Sequence, residues 1–353
     1  MKKRLLVIAV LLMAAFVCIT VLNGMDTELS PNEPSGTDTA DIKPSSKGSP
    51  YKFYFERLTP VEKRAYNAII EKIYDMPERI AVPKIDGKEL DNVFSALLFD
   101  NPDLFFLGRK CAVETRMWLT YFSVDYIVDK ADIADMKAQL ERECEAFEQT
   151  LTDPGNQWRT ELEIHDHVID RCEYHDPEGD LIYSSSYGAL VNGRAACEGY
   201  SKAVKLLLDR AGIENALISG VSENGEGSGG AHMWNIVNIG GDYYHLDCTW
   251  DDPVSDDGGK LRMYTYFNLS DEMISGTHRD FSYDFVCKST AENYYIKTGT
   301  YFESYSRSSE SRLTDIITKS VKNGRYQIQL RFADKKSYDG AVADLIKGER
   351  IYE

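Results

Sequence analysis

The sequence has little of several features that would assign it to a common class of protein. It holds seven cysteines among 353 residues, too few for a disulfide scaffold, and no spacing of cysteines and histidines is typical of a zinc site. Positive charge is also scarce, since the net charge is −17 and the pI is near 4.9, so a nucleic acid partner is not expected. No metal or other cofactor is predicted.

Long apolar runs are equally scarce, and the only one extends from Leu5 to Leu22. Basic residues at positions 2–4 precede it, which is the pattern of an export signal, and the run is at the short end for a membrane-spanning helix. An uncleaved anchor is favoured over a cleaved signal peptide, and lipidation at Cys18 is a third alternative. All three predict an extracytoplasmic protein, secreted or anchored to the outer face of the cytoplasmic membrane, with membrane contact only through residues 1–23.

The rest of the sequence divides into four segments. Residues 24–50 are rich in Pro, Ser, Thr, Asp and Gly and are predicted to be a disordered linker. Residues 51–150 carry several helical patterns and one strand pattern, from Trp118 to Val128, so a mainly helical domain is predicted. Residues 151–290 form the next domain and carry a net charge of −14. A small C-terminal α/β unit is predicted for residues 291–353.

A helix is predicted at the start of the acidic domain, over Glu161–Cys172, and it carries His165 and His167. Residues two positions apart do not share a helix face, so a metal-binding pair is not expected. Both histidines are predicted to lie on the solvated surface.

The residues that indicate chemistry begin with a cysteine at a helix start. A helix is predicted between the turn at Asn192-Gly193 and Gly212, because apolar residues recur at helical spacing between these points. Cys197 falls in its first turn on the inward face. A thiol there lies near the positive end of the helix dipole and near unpaired backbone N–H groups, which favour the nucleophilic thiolate. A buried structural cysteine is the alternative.

Two strands, Ala231–Val237 and Tyr243–Thr249, are predicted to form a hairpin around a two-residue turn at Gly240-Gly241. The turn sets the register of the two strands. Because side chains alternate between the faces of a strand, His232 and Asp247 point to the same side and are diagonal neighbours.

A histidine beside an aspartate, together with a cysteine at a helix start, is the arrangement of an activated thiol. The aspartate orients the imidazole, and the histidine takes the thiol proton and later delivers a proton to the leaving group. His245 shares the face of Asp247 and is the rival base, but it lies further from the strand end where a cleft would open, so His232 is preferred. Trp234 on the same face either shields these groups from water or simply packs.

Around these residues the sequence resembles the transglutaminase-like superfamily of papain-type thiol enzymes. The similar segments are GRAACEGYSKAVKLLLDRAGI around Cys197, AHMWNIV around His232 and GGDYYHLDCTWDDP around Asp247, in the chain order of the family. The resemblance implies an α+β fold with a papain-like core, in which the helix that bears the cysteine packs on an antiparallel sheet. It also implies that Cys197 is the nucleophile, His232 the base and Asp247 the orienting acid of a catalytic triad.

The resemblance further implies an oxyanion hole, whose first donor is the backbone N–H of Cys197. Tyr187 is a candidate for the second donor, although a packed aromatic side chain is the favoured interpretation of that residue.

The implied function is that of a thiol enzyme that cleaves or transfers amide bonds in a protein or peptide substrate, for example a cell-wall peptide, through an acyl-enzyme. Hydrolysis, as in a cysteine protease, is favoured. Protein-glutamine cross-linking and deamidation remain alternatives, because the same triad serves all three reactions. A non-catalytic surface binding module on a transglutaminase-like core is the alternative of another class.

Overall fold

The computed structural model describes residues 17–18, 42–117, 119–223, 229–253, 260–283, 285–324 and 327–347. The predicted signal or anchor run from Leu5 to Leu22 therefore lies almost wholly outside the described residues. Among the residues that are described, no helix has the length and apolar character needed to cross a membrane.

Helices and strands are mixed along the described part of the chain. The helices are α1 (Phe53–Glu56), α2 (Pro60–Ile73), α3 (Gly87–Asp100), α4 (Ile133–Glu148), α5 (Gln157–Arg171), α6 (Cys197–Arg210), α7 (Asp271–Ile274), α8 (Tyr294–Lys297), α9 (Arg307–Lys322) and α10 (Lys335–Ala341). The strands are β1 (Val17–Cys18), β2 (Ile80–Val82), β3 (Leu107–Arg116), β4 (Leu119–Tyr126), β5 (Glu173–Tyr174), β6 (Arg194–Ala195), β7 (Asn215–Glu223), β8 (Gly229–Ile239), β9 (Asp242–Leu246), β10 (His278–Arg279), β11 (Tyr301–Phe302) and β12 (Arg331–Phe332). Short turns of 3₁₀ or π type cover Leu181–Ser184, Gly188–Asn192 and Val342–Lys347.

The central sheet is antiparallel, with strand order β10-β7-β8-β9, and α6 packs against it. The Ser201 hydroxyl of α6 lies 2.9 Å from the carbonyl oxygen of Met233 in β8, and Asn235 Nδ2 donates to the Ser201 carbonyl oxygen at 3.0 Å. The predicted apolar stripe of α6, which includes Tyr200 and Leu208, is buried. These observations confirm the predicted α+β architecture, a helix that bears the cysteine on an antiparallel sheet.

One hydrophobic cluster of buried side chains extends from Tyr54 in α1 to Phe267, beyond β9. Residues on both sides of the predicted domain boundary at 150/151 contribute to it, so the two predicted domains share one core. The ion pair between Arg109 of β3 and Glu198 of α6 also links them. The first half of the chain therefore supports the helix that begins at Cys197.

The domain predicted as mainly helical also contains a sheet. The predicted strand Trp118–Val128 corresponds to β4, although Trp118 itself lies outside the described residues. β4 pairs on one side with β3 and on the other with β2, and neither of these was predicted. β3 was missed because its sequence, LGRKCAVETR, carries several charged residues and does not alternate cleanly.

Part of the segment predicted as a disordered linker, residues 42–50, is described by the structure and is held by hydrogen bonds; residues 24–41 lie outside the described residues. Asn67 Nδ2 donates to the carbonyl oxygen of Lys43, and the Ser49 N–H donates to Asn101 Oδ1 at 3.2 Å. Lys205 of α6 also donates to the Ser49 hydroxyl. The backbone and hydroxyl groups of this segment form hydrogen bonds with polar side chains that are distant in sequence. The composition of the segment itself therefore gave no indication that it is ordered.

The C-terminal segment combines helices with a two-stranded parallel sheet, β11-β12. The predicted strand Tyr326–Phe332 is reduced to β12 among the described residues, and the predicted helix Tyr338–Ile346 corresponds to α10 and the turn that follows it. The longest helix of this segment, α9, was not predicted.

Candidate active site

Cys197 is the first residue of α6, as predicted. The preceding residue, Ala196, has extended backbone geometry and forms no side-chain cap, so no side chain competes for the N–H groups of the first turn. Gly199 lets this turn approach the 181–185 segment, because a Cβ there would lie 2.8 Å from the carbonyl oxygen of Tyr183. Glycine is therefore required at this position of the CEGY sequence.

The hairpin that carries the histidine and the aspartate has the predicted register. Gly240 and Gly241 have φ angles of 65° and 98°, which the two-residue turn requires, and Ile239 pairs with Asp242. Pairing along the hairpin continues as far as Asn235 with Leu246.

The predicted continuation of the second strand to Thr249 is wrong, because β9 ends at Leu246. The cause is the carboxylate of Asp247, whose Oδ1 accepts the backbone N–H groups of Thr249 and Trp250 at 3.0 and 3.2 Å. These two bonds turn the chain and fix the carboxylate at the end of the strand.

His232 and Asp247 are in direct contact. His232 Nε2 lies 2.7 Å from Asp247 Oδ2, and the exposed fractions of the two residues are 7% and 1%. Since Nε2 faces the carboxylate, Nδ1 is the ring nitrogen that can exchange a proton with the Cys197 thiol. Cys197 acts on the His232 imidazole and helps to raise its pKa, so the thiol also lies near the ring.

The electrostatics of the site favour a charged imidazole. Burial alone would lower the pKa of His232, but the Asp247 carboxylate and the neighbouring Cys197 raise it to about 10. For Asp247, burial would raise the pKa, but the two imidazoles of His232 and His278 hold it well below its usual range. Asp247 is therefore ionised at neutral pH and can balance an imidazolium at His232.

The rival base, His245, is engaged at both ring nitrogens. Trp234 Nε1 lies 3.0 Å from His245 Nδ1, and His245 Nε2 lies 3.0 Å from Asp271 Oδ1. An indole N–H only donates, so Nδ1 is the acceptor and Nε2 carries the proton. His245 therefore holds Trp234 in place and is not available to Cys197.

The proton on His245 Nε2 also affects a cluster of side chains that has the composition of a metal site. Ligand atoms of His245, Asp271 and Cys287 lie within 4.8 Å of one another. Because His245 Nε2 carries a proton and donates it to Asp271, the nitrogen that would face the ion has no free lone pair. The donor set does not fit a metal ion in this arrangement.

Trp234 is completely buried and its ring stacks on that of His232, with centroids 5.8 Å apart and an interplanar angle of 19°. Trp234 therefore packs against the imidazole of His232 in the interior of the protein.

Tyr187 is placed differently from an oxyanion donor. Its hydroxyl donates to Gln139 Oε1 at 2.6 Å, and its ring stacks on Phe105 with centroids 5.0 Å apart. These contacts fit the interpretation of Tyr187 as a packed aromatic residue. Its hydroxyl proton is used in the hydrogen bond to Gln139 of α4.

His278 is a site residue that the sequence analysis missed. It is buried, and its Nε2 lies 3.0 Å from Asp247 Oδ2, the oxygen that also contacts His232. It lies on the two-residue strand β10 and belongs to no periodic pattern, so no local signal indicated it.

The prediction that His165 is a solvated surface residue is wrong. His165 is completely buried, and its ring nitrogens lie 3.1 Å from Asp166 and 3.2 Å from Asp251. Burial opposes the charged form, but these carboxylates raise the pKa of His165 to about 9. The Asp251 backbone N–H in turn donates to the Asp247 carbonyl oxygen, so the pair supports the turn that carries Asp247.

We expect His165→Leu to lower the free energy of unfolding by about 3–5 kcal/mol at pH 6.5, because it leaves the Asp251 carboxylate buried without its partner. The raised pKa of His165 contributes stability that is fully present below the unfolded-state pKa of about 6.5 and is lost as the pH rises through about 9. Urea denaturation should therefore show a shallower decline of stability over this pH window in the variant.

The matched control is His167→Leu on the same helix, where the imidazole stacks on Phe147 and is only half-buried. We expect a change of less than about 1 kcal/mol and the same decline of stability between pH 6.5 and 9, because burial lowers the pKa of His167 and this imidazole titrates below that window. Equal effects of the two substitutions would contradict the buried pair at His165.

Tyr174, which is 53% exposed, is a neighbour of the nucleophile. Tyr174 pairs with Ala195 in the two-stranded sheet β5-β6, two residues before Cys197. Burial of part of the ring, Cys197 and Asp176 together raise the pKa of its phenol, which places the ring within electrostatic range of the thiol. The exposed segment that follows, residues 175–180, includes three acidic side chains.

Cys197 should be the most reactive of the six described thiols. It is half-buried, whereas the others are buried, and burial raises the pKa of Cys144, Cys172 and Cys287 to about 12. We expect iodoacetamide at pH 7 to label Cys197 at least ~100-fold faster than Cys287, as measured by mass spectrometry of the alkylated peptides. Equal labelling of the two cysteines would contradict an activated thiol.

Comparison with known proteins agrees with this geometry. Residues 145–248, which include all three side chains of the Cys-His-Asp group, match the family model of the transglutaminase-like superfamily. No curated protein was found to match the chain.

Three solved structures are similar to parts of the chain. They are a TGase (12% identity, 52% of this chain and 58% of that chain, TM-score 0.28), a candidate cysteine protease from Cytophaga hutchinsonii (14%, 41% and 56%, 0.27) and a candidate protease from Parabacteroides distasonis (16%, 45% and 34%, 0.25). The matches span little more than half of the first two structures and about a third of the last.

Proposed function

Because residues 145–248 form a transglutaminase-like domain, we propose that this protein is a thiol enzyme that cleaves or transfers amide bonds through an acyl-enzyme on Cys197. The observation that carries the proposal is the buried contact between His232 and Asp247 beside a cysteine at a helix start. Hydrolysis of a peptide bond is the favoured reaction.

The reaction starts from a thiolate at Cys197, whose proton has moved to Nδ1 of His232 and made its imidazole an imidazolium. The thiolate attacks the carbonyl carbon of the substrate amide, and the negative charge moves to the carbonyl oxygen. As the carbon–nitrogen bond breaks, the His232 imidazolium gives its proton to the departing amine, which leaves a thioester on Cys197. His232 then takes a proton from water, or from an acceptor amine, and the new nucleophile releases the acyl group.

Two features lower the energy of these steps. Asp247 holds His232 with Nδ1 directed away from the carboxylate and stabilises the imidazolium. The backbone N–H groups at the start of α6 have no side-chain cap, so that of Cys197 is suited to donate to the carbonyl oxygen as it becomes negative.

The non-catalytic alternative is less well supported. A binding module has no need for a buried pair of imidazole and carboxylate that lies beside a half-buried cysteine at a helix start. Taking two such groups out of water costs free energy, and a chemical role would explain why the pair is retained.

The substrate that fits the charge of the site is a neutral or cationic protein or peptide. The 151–290 segment carries a net charge of −14, and exposed acidic side chains follow Tyr174 beside the nucleophile. Export through the run from Leu5 to Leu22 would place the enzyme outside the cytoplasm, where cell-wall peptides are accessible substrates.

The experiment that tests the proposal is incubation of the protein with a peptide library and a labelled primary amine. Chain cleavage supports the favoured hydrolysis, amine incorporation would assign cross-linking instead, and ammonia release without either would assign deamidation. The Cys197→Ala variant is the control. A product that forms equally with this variant, or none with the unsubstituted protein across the library, would overturn the proposal.

A further inference from the structure

Asp247 has more hydrogen-bond donors than a carboxylate that orients one histidine requires. Oδ1 accepts two backbone N–H groups, and Oδ2 faces both His232 Nε2 at 2.7 Å and His278 Nε2 at 3.0 Å. A carboxylate has about four lone-pair sites, so the four donors occupy its whole capacity. The second imidazole at Oδ2 is the one whose role the mechanism leaves unexplained.

The tautomer of His278 follows from its two partners. An ionised carboxylate only accepts, so the Nε2 that faces Asp247 carries a proton. Nδ1 lies 2.8 Å from the hydroxyl of Thr277, which is closer than the 3.3 Å between that hydroxyl and the carbonyl oxygen of Ile274. The Thr277 hydroxyl thus anchors Nδ1, while the carboxylate of Asp247 requires that Nε2 carry a proton and donate.

The ring of His278 is also fixed by packing. It lies edge-on to Trp234 with centroids 4.8 Å apart, and it is 4.9 Å from the ring of Trp250 and 5.5 Å from that of His232. Its backbone pairs with Ser222 of β7 at the edge of the central sheet. The donor that reaches Asp247 thus comes from a rigid part of the fold.

We propose that His278 is a positioning residue of the thiol site, which donates to Asp247 Oδ2, prevents rotation of the carboxylate and limits how strongly Asp247 attracts the His232 imidazolium. This inference rests on the proposed function. It concerns how strongly His232 holds its proton. The presence of a base at the site depends only on Cys197, His232 and Asp247.

The direction of the tuning follows from the shared oxygen. A hydrogen bond from His278 withdraws electron density from Oδ2, so less is available to stabilise a positive charge on His232. Removal of the donor should therefore make the imidazolium more persistent as the pH rises. The other titratable groups around His278 are His245 and Tyr266. Neither of them contacts Asp247 Oδ2 directly in the described structure.

The test uses the alkylation of Cys197 by iodoacetamide as a function of pH, which needs no substrate. A thiolate paired with an imidazolium reacts at low pH, and its rate rises again when the imidazolium loses its proton, so the upper transition reports the pair. We expect His278→Phe, which fills the volume without a donor, to move the upper transition to higher pH by about half a unit or more. Turnover on any substrate identified should fall roughly 10- to 100-fold in kcat, with little change in KM.

His278→Gln is the matched variant, because its side-chain amide restores a donor that does not titrate. We expect its upper transition to coincide with that of the unsubstituted protein. If His278→Phe does not fold, as judged by its melting temperature, Thr277→Val carries the test. It removes the hydroxyl that anchors Nδ1 of His278, so the ring is held less firmly against Asp247 and the transition should shift in the same direction.

Different outcomes would overturn the role of His278 and the proposed function. A two-step profile that is identical in folded His278→Phe, or that moves to lower pH, would overturn the role of His278 and leave the proposed function in place. A single transition at the ordinary thiol pKa of about 8.5 in the unsubstituted protein would overturn both.

Discussion

Substitution of Cys197 by alanine should abolish turnover while the fold persists. The thiolate forms the covalent bond to the acyl group, and no other described cysteine lies on the surface to replace it. Loss of a nucleophile from a group of this kind lowers kcat on the order of 10⁶-fold. The side chain is small and half-buried, so the free energy of unfolding should change by less than about 1 kcal/mol. Activity on a substrate found with the peptide library and a urea denaturation curve together measure both effects.

A second cysteine provides the inverse control. Cys144 is buried in α4, where truncation to alanine leaves a cavity. Cys144→Ala should cost about 1–2 kcal/mol of stability and leave kcat within about twofold of the unsubstituted enzyme at a temperature where both are folded. If Cys197→Ala retained activity, or if the two variants lost activity in parallel with stability, Cys197 would not be the nucleophile.

Substitution of Asp247 by asparagine should lower kcat on the order of 10³- to 10⁴-fold with little effect on KM. Four donors point at the two carboxylate oxygens, and an asparagine offers a single acceptor atom. Its amide group would therefore oppose either the two backbone N–H groups or the two imidazoles. In the second orientation His232 loses the bond that directs Nδ1 towards the thiol. In the first orientation the bond to His232 remains, but it comes from a neutral amide oxygen that no longer balances the imidazolium, and the turn at Thr249 and Trp250 loses its acceptor. Steady-state kinetics on the same substrate give kcat and KM separately.

Asp280→Asn is the appropriate comparison, because it makes the same chemical change two residues after His278. The Asp280 carboxylate is largely exposed, and its nearest cation, on Arg279, is 3.7 Å away. We expect kcat to change by less than about twofold. If Asp247→Asn were equally mild, the orienting role would have to pass to another group.

The parts of the site that the sequence predicts are those that depend on neighbouring residues. The helical spacing of apolar residues predicts the helix that begins at Cys197. The Gly240-Gly241 turn sets the strand register that brings His232 and Asp247 together. The helix start and the hairpin are therefore enough to predict that a cysteine, a histidine and an aspartate lie together as an activated thiol. The end of β9 was missed because the bonds that stop the strand are made by the Asp247 side chain itself.

The parts that the sequence does not predict depend on contacts far along the chain. His165 meets Asp251 86 residues later, and His278 meets Asp247 31 residues earlier. The spacing of His165 and His167 carried no information on their burial. In the same way, the hydroxyl of Tyr187 finds Gln139 on a helix 48 residues away, which no local pattern reveals.

The covalent intermediate is the most direct measure of the central claim. The enzyme should be mixed with the peptide library for a short time, quenched in acid to preserve a thioester, and digested for mass spectrometry. We predict an acyl adduct on the peptide that contains Cys197, which is absent from Cys197→Ala and accumulates in variants that slow its release. Turnover without any adduct at Cys197, or an adduct confined to another residue, would contradict the account.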